Sequence, residues 1–116
     1  MLRVKSMSQT QDNFKRGTAE LLVLHLLQKE DLYGYQITHA LEEKSGGAYT
    51  MLEGSLYPIL YRLTEAGYVS DYVVPVGKKR TRRYYHIEAA GREYYKEILG
   101  EYLAIAGSIR KILDLE

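Results

Sequence analysis

The strongest chemical signal in this sequence is a run of cations at residues 78–83, which reads Lys-Lys-Arg-Thr-Arg-Arg. Five of its six side chains are positively charged, and ammonium and guanidinium groups at this density bind phosphate. Each phosphate that they neutralise releases counterions, so such binding depends steeply on salt. The alternative is a solvated hairpin tip that binds nothing. The run predicts contact with a nucleic-acid backbone if the fold presents it to one.

The sequence carries no recognisable signature of catalysis or of metal binding. It contains no cysteine, which excludes thiolate nucleophiles, disulfides and cysteine-ligated metal clusters. His25, His39 and His86 occur singly, without the HxxxH or HExxH spacing that places two imidazoles on one helix face. Walker loops, GxGxxG fingerprints and nucleophile elbows are also missing. We therefore expect no enzyme activity, no metal site and no cofactor.

Composition points to a folded domain with an uneven charge distribution. The chain has 116 residues, of which 46% are hydrophobic and 27% are charged. Its net charge is only +1, yet residues 68–83 hold five bases and one acid, whereas residues 17–67 hold three bases and seven acids. No apolar run approaches the roughly 20 residues of a membrane helix, and the first residues lack the apolar core of a signal peptide. We expect a cytoplasmic protein with no membrane partner.

The hydrophobic period predicts three short helices ahead of the basic run. Apolar side chains recur at helical spacing over about residues 16–29, then from Ile37 to Lys44, and again from Leu56 to Leu63. Gly67 stands where a left-handed cap would end the third helix. Residues 48–51, between the second and third helices, predict a short strand.

Beyond the third helix the period becomes two, which predicts strands over about residues 69–74 and 82–87. The turn between them carries Lys78, Lys79 and Arg80 at its tip. Arg82 and Arg83 would point to opposite faces of the returning strand, so that one of them is better placed to reach DNA. Helix, helix, strand, helix and hairpin is the order of a winged helix-turn-helix, whose third helix enters the major groove.

In such a fold the start of the third helix exposes side chains to the groove, and here it offers Ser55 and Tyr57, with Arg62 further along. Tyr57 could equally pack between the second and third helices. Tyr35 would either touch a phosphate through its hydroxyl or lie in the core. The predicted DNA-binding set is Tyr35, Ser55, Tyr57, Arg62, Lys78, Lys79, Arg80, Arg82 and Arg83.

The last segment, about residues 89–114, predicts a long helix with an apolar a/d seam. The seam comprises Tyr95, Ile98, Tyr102, Ile105, Ile109 and Ile112. It either folds back on the first helix or pairs with a second copy, and its apolar area exceeds what one short helix covers. We expect a two-fold homodimer, which matches a palindromic operator. Tyr95 and Tyr102 are candidates to line an effector pocket there. The alternative is that both tyrosines only pack in the seam and bind no ligand.

Four motifs in this order are similar to those of the PadR-like transcriptional regulators. They are YGYQI at residues 33–37, GSLYPIL at 54–60, Arg62-Leu63 with Gly67-Tyr68-Val69, and RRYYHIEAAG at 82–91. The one long C-terminal helix resembles the small subclass of that family. The sequence thus predicts a mainly α fold with a small β-hairpin, divided into an arm (1–15), a winged helix-turn-helix (16–88) and a dimerisation helix (89–116).

The resemblance implies a homodimeric repressor that binds a palindromic operator in double-stranded DNA. It also implies release by a lipophilic or phenolic small-molecule effector. The alternative is a winged-helix module for protein interaction, in which the wing is only a charged surface. Salt-dependent binding to duplex DNA separates these two functions.

Overall fold

The computed structural model describes residues 14–15 and 17–115. Within that part of the chain, four helices pack with a three-stranded antiparallel sheet. The elements, in chain order, are α1 (Ala19–Leu26), β1 (Leu32–Tyr33), α2 (Gly34–Lys44), α3 (Glu53–Glu65), β2 (Val69–Pro75), β3 (Thr81–Ile87) and α4 (Ala89–Ile112). This arrangement confirms the predicted winged helix-turn-helix followed by a long helix. The predicted arm, residues 1–15, lies almost entirely outside the described residues.

The core consists of the apolar faces that the helical period predicts. Val23 and Leu24 of α1 and Ile37 of α2 have no exposed surface. The inner face of α3 completes the helical part, and the sheet covers it with the side chains of four strand residues. These α3 and sheet residues are Leu56, Ile59, Leu60, Leu63, Leu32, Val69, Tyr85 and Ile87. Because α3 turns one apolar face inward, its opposite face remains open to solvent.

The sheet has the strand order β1-β3-β2, with Leu32 opposite Tyr85 in the first pair and Val69 opposite Ile87 in the second. The strand predicted at residues 48–51 is wrong, because that segment is irregular and the short third strand is β1. The amide of Tyr49 donates to the Ser45 hydroxyl at 2.8 Å and therefore to no neighbouring strand.

Gly67 ends α3 as predicted. Its φ is 81°, a backbone conformation that residues with a Cβ rarely adopt. Its amide donates to the Thr64 carbonyl, and the amide of Tyr68 donates to the Leu63 carbonyl, both at 3.0 Å. These two bonds define a Schellman motif. The chain consequently reverses within two residues and enters β2. The hairpin of β2 and β3 is the wing, and this reversal places it beside α3.

The long helix α4 is covered by the domain along its first half only. Tyr94, Tyr95 and Ile98 are partly buried against the core. Further along, the seam is exposed: Tyr102 by 46%, Ile105 by 61%, Ile109 by 48% and Ile112 by 77%. Among the described helices, none is both long and apolar enough to cross a membrane.

Candidate nucleic-acid interface

The solvent face of α3 presents a mixture of small, aromatic and acidic side chains. Ser55 is exposed in the first turn, and Glu53 stands in the same turn, where a negative charge favours the helix dipole. Tyr61, two turns along, is 66% exposed opposite the buried face. The sequence reasoning overlooked Tyr61, although a helical wheel centred on Leu56, Leu60 and Leu63 would have identified it.

Tyr57 occupies the flank of α3 that faces α2. A Cβ added to Gly34 at the start of α2 would lie 2.6 Å from the Tyr57 hydroxyl, so only glycine leaves room for this ring. That hydroxyl donates to Glu53 at 3.0 Å. Partial burial and the Glu53 carboxylate raise the pKa of the Tyr57 phenol. The predicted packing role of Tyr57 is therefore present, while 45% of its surface remains exposed.

Arg62 lies on the other flank of α3, toward α1. Its guanidinium forms an ion pair with Glu20 at 3.0 Å. The side chain of Arg62 nevertheless keeps 59% of its surface exposed. Arg62 and Tyr57 thus stand on opposite sides of α3, and the structure does not bring them together.

The wing tip carries the predicted cations. Lys78, Lys79 and Arg80 are all exposed. Within the described ranges 14–15 and 17–115, none of these three side chains forms an ion pair or hydrogen bond. No described residue compensates their charge by an ion pair, which favours attraction of an anionic partner.

Arg82 and Arg83 do lie on opposite faces of β3. The Arg82 guanidinium is 4.1 Å from the ring centroid of Tyr33 on the outer face of the sheet, a cation–π contact. Arg83 donates to Asp71 at 2.9 Å on the inner face. There it lines a groove of about 370 Å³ between α3 and the wing, together with Tyr57 and Tyr61.

Two further contacts fix the base of the wing. Asp31, at the end of the loop after α1, accepts hydrogen bonds from the Tyr72 hydroxyl at 2.7 Å and from Nδ1 of His86 at 2.8 Å. Partial burial raises the pKa of the Asp31 carboxyl, but these hydrogen bonds and the nearby His86 outweigh it and hold the pKa below its usual value. One carboxylate thereby joins both long strands to the helical domain.

Tyr35 lies on the surface of α2 and not in the core. It is 56% exposed, and its ring stacks on His39 with 5.7 Å between centroids. Its hydroxyl is consequently open to an external acceptor.

A separate cavity of about 630 Å³ lies between α1, residues 48–49 and α4, on the side of the domain formed by the first half of α4. It brings together Tyr95 and Tyr102, the two predicted pocket residues. Nδ1 of His25 and the Tyr95 hydroxyl are 2.7 Å apart inside it. The described residues that line the cavity include Lys15 and no carboxylate.

The sequence reasoning missed His25 and Tyr49 as cavity residues. His25 is a lone histidine in the sequence, and its partner Tyr95 is 70 residues away, so no local pattern points to the pair. Tyr49 falls in the segment for which a strand is wrongly predicted. Among the described residues, no group of three histidine, aspartate or glutamate side chains could hold a metal ion.

Comparison with known proteins identifies relatives of the whole domain. The sequence profile of the Transcriptional regulator PadR-like family matches residues 23–97. Transcriptional regulator Rv3488 of Mycobacterium tuberculosis is 33% identical over 107 residues, covering 82% of this chain and 95% of the relative. Members of the PadR-like family are transcriptional regulators and not enzymes, as expected from the missing catalytic motifs.

Solved structures agree with these sequence relatives. A transcriptional regulator from Clostridium thermocellum superposes with a TM-score of 0.79 at 31% identity, covering 85% of this chain and 96% of that one. Bacillus subtilis PadR in complex with operator DNA superposes with a TM-score of 0.64 at 28% identity, covering 69% of this chain. This chain spans 46% of that PadR chain.

Proposed function

The chain belongs to the PadR-like family of transcriptional regulators, and from this premise we propose that it is a sequence-specific DNA-binding repressor. It acts as a homodimer on a palindromic operator and is released by a small molecule. Residues 16–88 bind DNA and residues 89–116 dimerise. The protein works in the cytoplasm. The observation that carries this proposal is the exposed wing tip, whose cations form no ion pair within the described part of the chain, together with the exposed outer face of α3.

For DNA binding, we assign α3 to the major groove and the wing to the phosphates. Ser55 and Tyr57 lie at the end of α3 that leads into the groove. Tyr61 joins them because of its exposure. The remaining contacts to the backbone are assigned to Tyr35, Arg62, Lys78, Lys79, Arg80, Arg82 and Arg83. Bacillus subtilis PadR, solved with its operator DNA, supports this assignment through its similar fold.

For dimerisation, the support is the exposed second half of α4. Ile105, Ile109 and Ile112 form a continuous apolar row with nothing against it among the described residues. Burying one such side chain stabilises by about 1.5–3 kcal/mol, so pairing with a second copy of α4 would be favoured by the burial of several isoleucine side chains. The seam of Tyr95, Ile98, Tyr102, Ile105, Ile109 and Ile112 is the proposed interface. Similarity to the Clostridium thermocellum regulator over 96% of its length supports the small subclass with one C-terminal helix.

For effector release, the support is the cavity that contains Tyr95 and Tyr102. Its volume of about 630 Å³ falls within the range of roughly 300–1,000 Å³ typical of small-molecule sites. Aromatic rings on opposite walls suit a flat lipophilic or phenolic ligand. The His25–Tyr95 hydrogen bond supplies a polar contact that can fix its orientation.

The test of DNA binding is the salt dependence of affinity for a duplex selected from random DNA. Replacing Lys78, Lys79 and Arg80 by alanine should weaken binding to selected and random duplexes alike. The slope of log K against log salt should fall by about 0.9 for each phosphate that the variant no longer neutralises. Lys96→Ala on α4 is the matched control, because it removes a cation paired with Glu93 away from the wing. An unchanged slope in the triple variant would favour the protein-interaction module.

A further inference from the structure

We propose that Tyr49 transmits the occupancy of the cavity to α3, within one subunit. This inference rests on the proposed effector function and specifies how that site regulates DNA binding. A ligand between α4 and Tyr49 displaces the Tyr49 ring. The displacement then moves the short segment that leads into α3, the proposed recognition helix.

Tyr49 lies directly upstream of α3. Residues 50–52 connect it to the helix, and the carbonyl of Leu52 accepts the first helical hydrogen bonds, from the amides of Ser55 at 3.0 Å and Leu56 at 3.1 Å. Any shift of Tyr49 is therefore passed through three residues to the N-terminal turn of α3. That turn is the part of α3 that we assign to the DNA groove.

The segment around Tyr49 is held by residues that precede α1. The Tyr49 hydroxyl and the Thr18 hydroxyl are 3.0 Å apart. Lys15 donates to the Thr50 carbonyl at 2.7 Å, and its ammonium lies 5.1 Å from the centroid of the Tyr49 ring. Two anchors therefore hold the loop before α3: these contacts at the edge of the cavity, and the hydrogen bond from the Tyr49 amide to the Ser45 hydroxyl.

The cavity places a ligand where it must touch these contacts. Tyr49 and Ala48 form one wall, and Tyr95, Leu99 and Tyr102 of α4 form the opposite wall. The Lys15 and Thr18 side chains that hold the loop line the same space. A flat ligand that bridges the two walls contacts the Tyr49 ring on the face turned toward α4.

A second cavity gives the Tyr49 ring an alternative position. It has a volume of about 290 Å³ and is lined by Tyr49 together with Ala40, Leu41 and Lys44 of α2. A ring pushed from the larger cavity can enter this smaller one, at the expense of the hydrogen bond to Thr18. Two discrete positions of one side chain are what a ligand needs in order to shift an equilibrium between two states.

The Tyr49–Thr18 hydrogen bond defines the size of the expected effect. A hydrogen bond of this type contributes about 2- to 10-fold to an equilibrium constant. Tyr49→Phe keeps the ring and removes the hydroxyl. The ligand weakens DNA binding by a certain factor, which is the DNA affinity without ligand divided by the DNA affinity with ligand. In Tyr49→Phe this factor should be about 2- to 10-fold smaller than in the wild type, because the free state of the variant no longer favours the anchored position.

The experiment uses 8-anilinonaphthalene-1-sulfonate as the probe, since it is aromatic and becomes fluorescent in apolar sites. Affinity for a selected duplex is measured by anisotropy with and without saturating probe, for the wild type, Tyr49→Phe and Tyr68→Phe. Tyr68→Phe is the matched control, because it removes a hydroxyl from a partly buried ring that lines neither cavity. Thr18→Val, alone and combined with Tyr49→Phe, completes a double-mutant cycle.

We expect the probe to weaken DNA binding by the wild type and by Tyr68→Phe equally. Tyr49→Phe should bind the probe with affinity within about twofold of the wild type, yet show the reduced ratio of DNA affinities. Adding Thr18→Val to Tyr49→Phe should not reduce this ratio further. Equal ratios in the wild type and Tyr49→Phe would overturn the role of Tyr49 and leave ligand release intact. A wild type whose DNA affinity ignores the probe would overturn ligand release at this cavity and this inference with it.

Discussion

The guanidinium of Arg62 on α3 donates two hydrogen bonds to one carboxylate oxygen of Glu20 on α1, from Nε at 3.2 Å and from Nη2 at 3.0 Å. The other oxygen of Glu20 accepts a hydrogen bond of 3.1 Å from the hydroxyl of Tyr94 on α4. Burial together with the Glu20 charge raises the pKa of the Tyr94 phenol, so it remains a donor. One carboxylate therefore connects the proposed recognition helix with the proposed dimerisation helix.

Glu20→Gln tests whether Arg62 leaves this pair to reach DNA. The neutral amide holds the guanidinium less strongly, so we expect affinity for duplex DNA to rise. The gain should not exceed about fivefold, because exposed ion pairs contribute only about 0–1 kcal/mol. Anisotropy titrations at fixed salt measure this change.

Arg62→Ala provides the control for that measurement. It should lower affinity by itself and should abolish the gain from Glu20→Gln in the double variant. If Glu20→Gln weakens DNA binding as much as Arg62→Ala does, the pair acts by positioning α3, and Arg62 makes no phosphate contact.

Ser55→Glu tests the orientation of α3. The new carboxylate would stand in the first helical turn, where the helix dipole favours a negative charge, so the fold should keep its stability. Against DNA, the same charge would face phosphates, and operator binding should be lost. Ser55→Ala removes the hydroxyl without adding charge and should change affinity much less. Normal operator affinity of Ser55→Glu, with an unchanged melting curve, would show that α3 points elsewhere.

Helices whose apolar pattern repeats over several turns could be predicted from the sequence. Elements that are defined by contacts between distant residues could not. The apolar faces of α1, α3 and α4 each repeat over at least two turns, so the sequence alone locates them. A strand as short as Leu32–Tyr33 cannot display a period of two. Its place in the sheet depends on Tyr84 and Tyr85, which pair with it from β3.

The same limit applies to the candidate site. The basic wing tip is contiguous in sequence, so its identity followed from composition and element order. The partner of Arg62 is 42 residues away, and the partner of His25 is 70 residues away. Pairs of this kind are decided by how helices pack, and a single sequence holds no record of that packing.

The hydrogen bonds to Asp31 predict a pH dependence of stability. The folded pKa of the Asp31 carboxyl is lower than its ordinary value of 3.8. Its contribution to the free energy of unfolding is therefore present above that pH and is lost as the pH falls through the lower folded pKa. The contribution should be less than about 1 kcal/mol, because Asp31 and its partner His86 are both partly exposed.

Asp31→Asn should remove this pH-dependent contribution. Urea unfolding followed between about pH 3 and pH 6 should show that the wild type exceeds the variant at the upper end and approaches it at the lower end. Glu30→Gln removes the adjacent carboxylate as a matched control and should leave the pH profile close to that of the wild type. Parallel profiles for the wild type and Asp31→Asn would contradict the anchoring of the wing by Asp31.

Ile105→Asp tests the proposed dimer. In one isolated chain Ile105 is 61% exposed, so an aspartate there should hardly change the stability of a subunit. Between two α4 helices, the same aspartate would lose the roughly 1.5–3 kcal/mol of a buried isoleucine and would desolvate a charge in each subunit. Ala104→Asp places the same charge one residue earlier, outside the apolar stripe, and should leave the assembly intact.

Sedimentation equilibrium at micromolar concentration is the measurement for assembly. The wild type and Ala104→Asp should sediment at twice the chain mass of 13.4 kDa, and Ile105→Asp should sediment as a monomer. A wild-type mass of 13.4 kDa would mean that a second copy does not cover the seam. Operator affinity should fall together with the dimer, although every wing keeps its cations. Two separate subunits cannot hold their recognition helices in successive major grooves about 34 Å apart, so each binds only half a site.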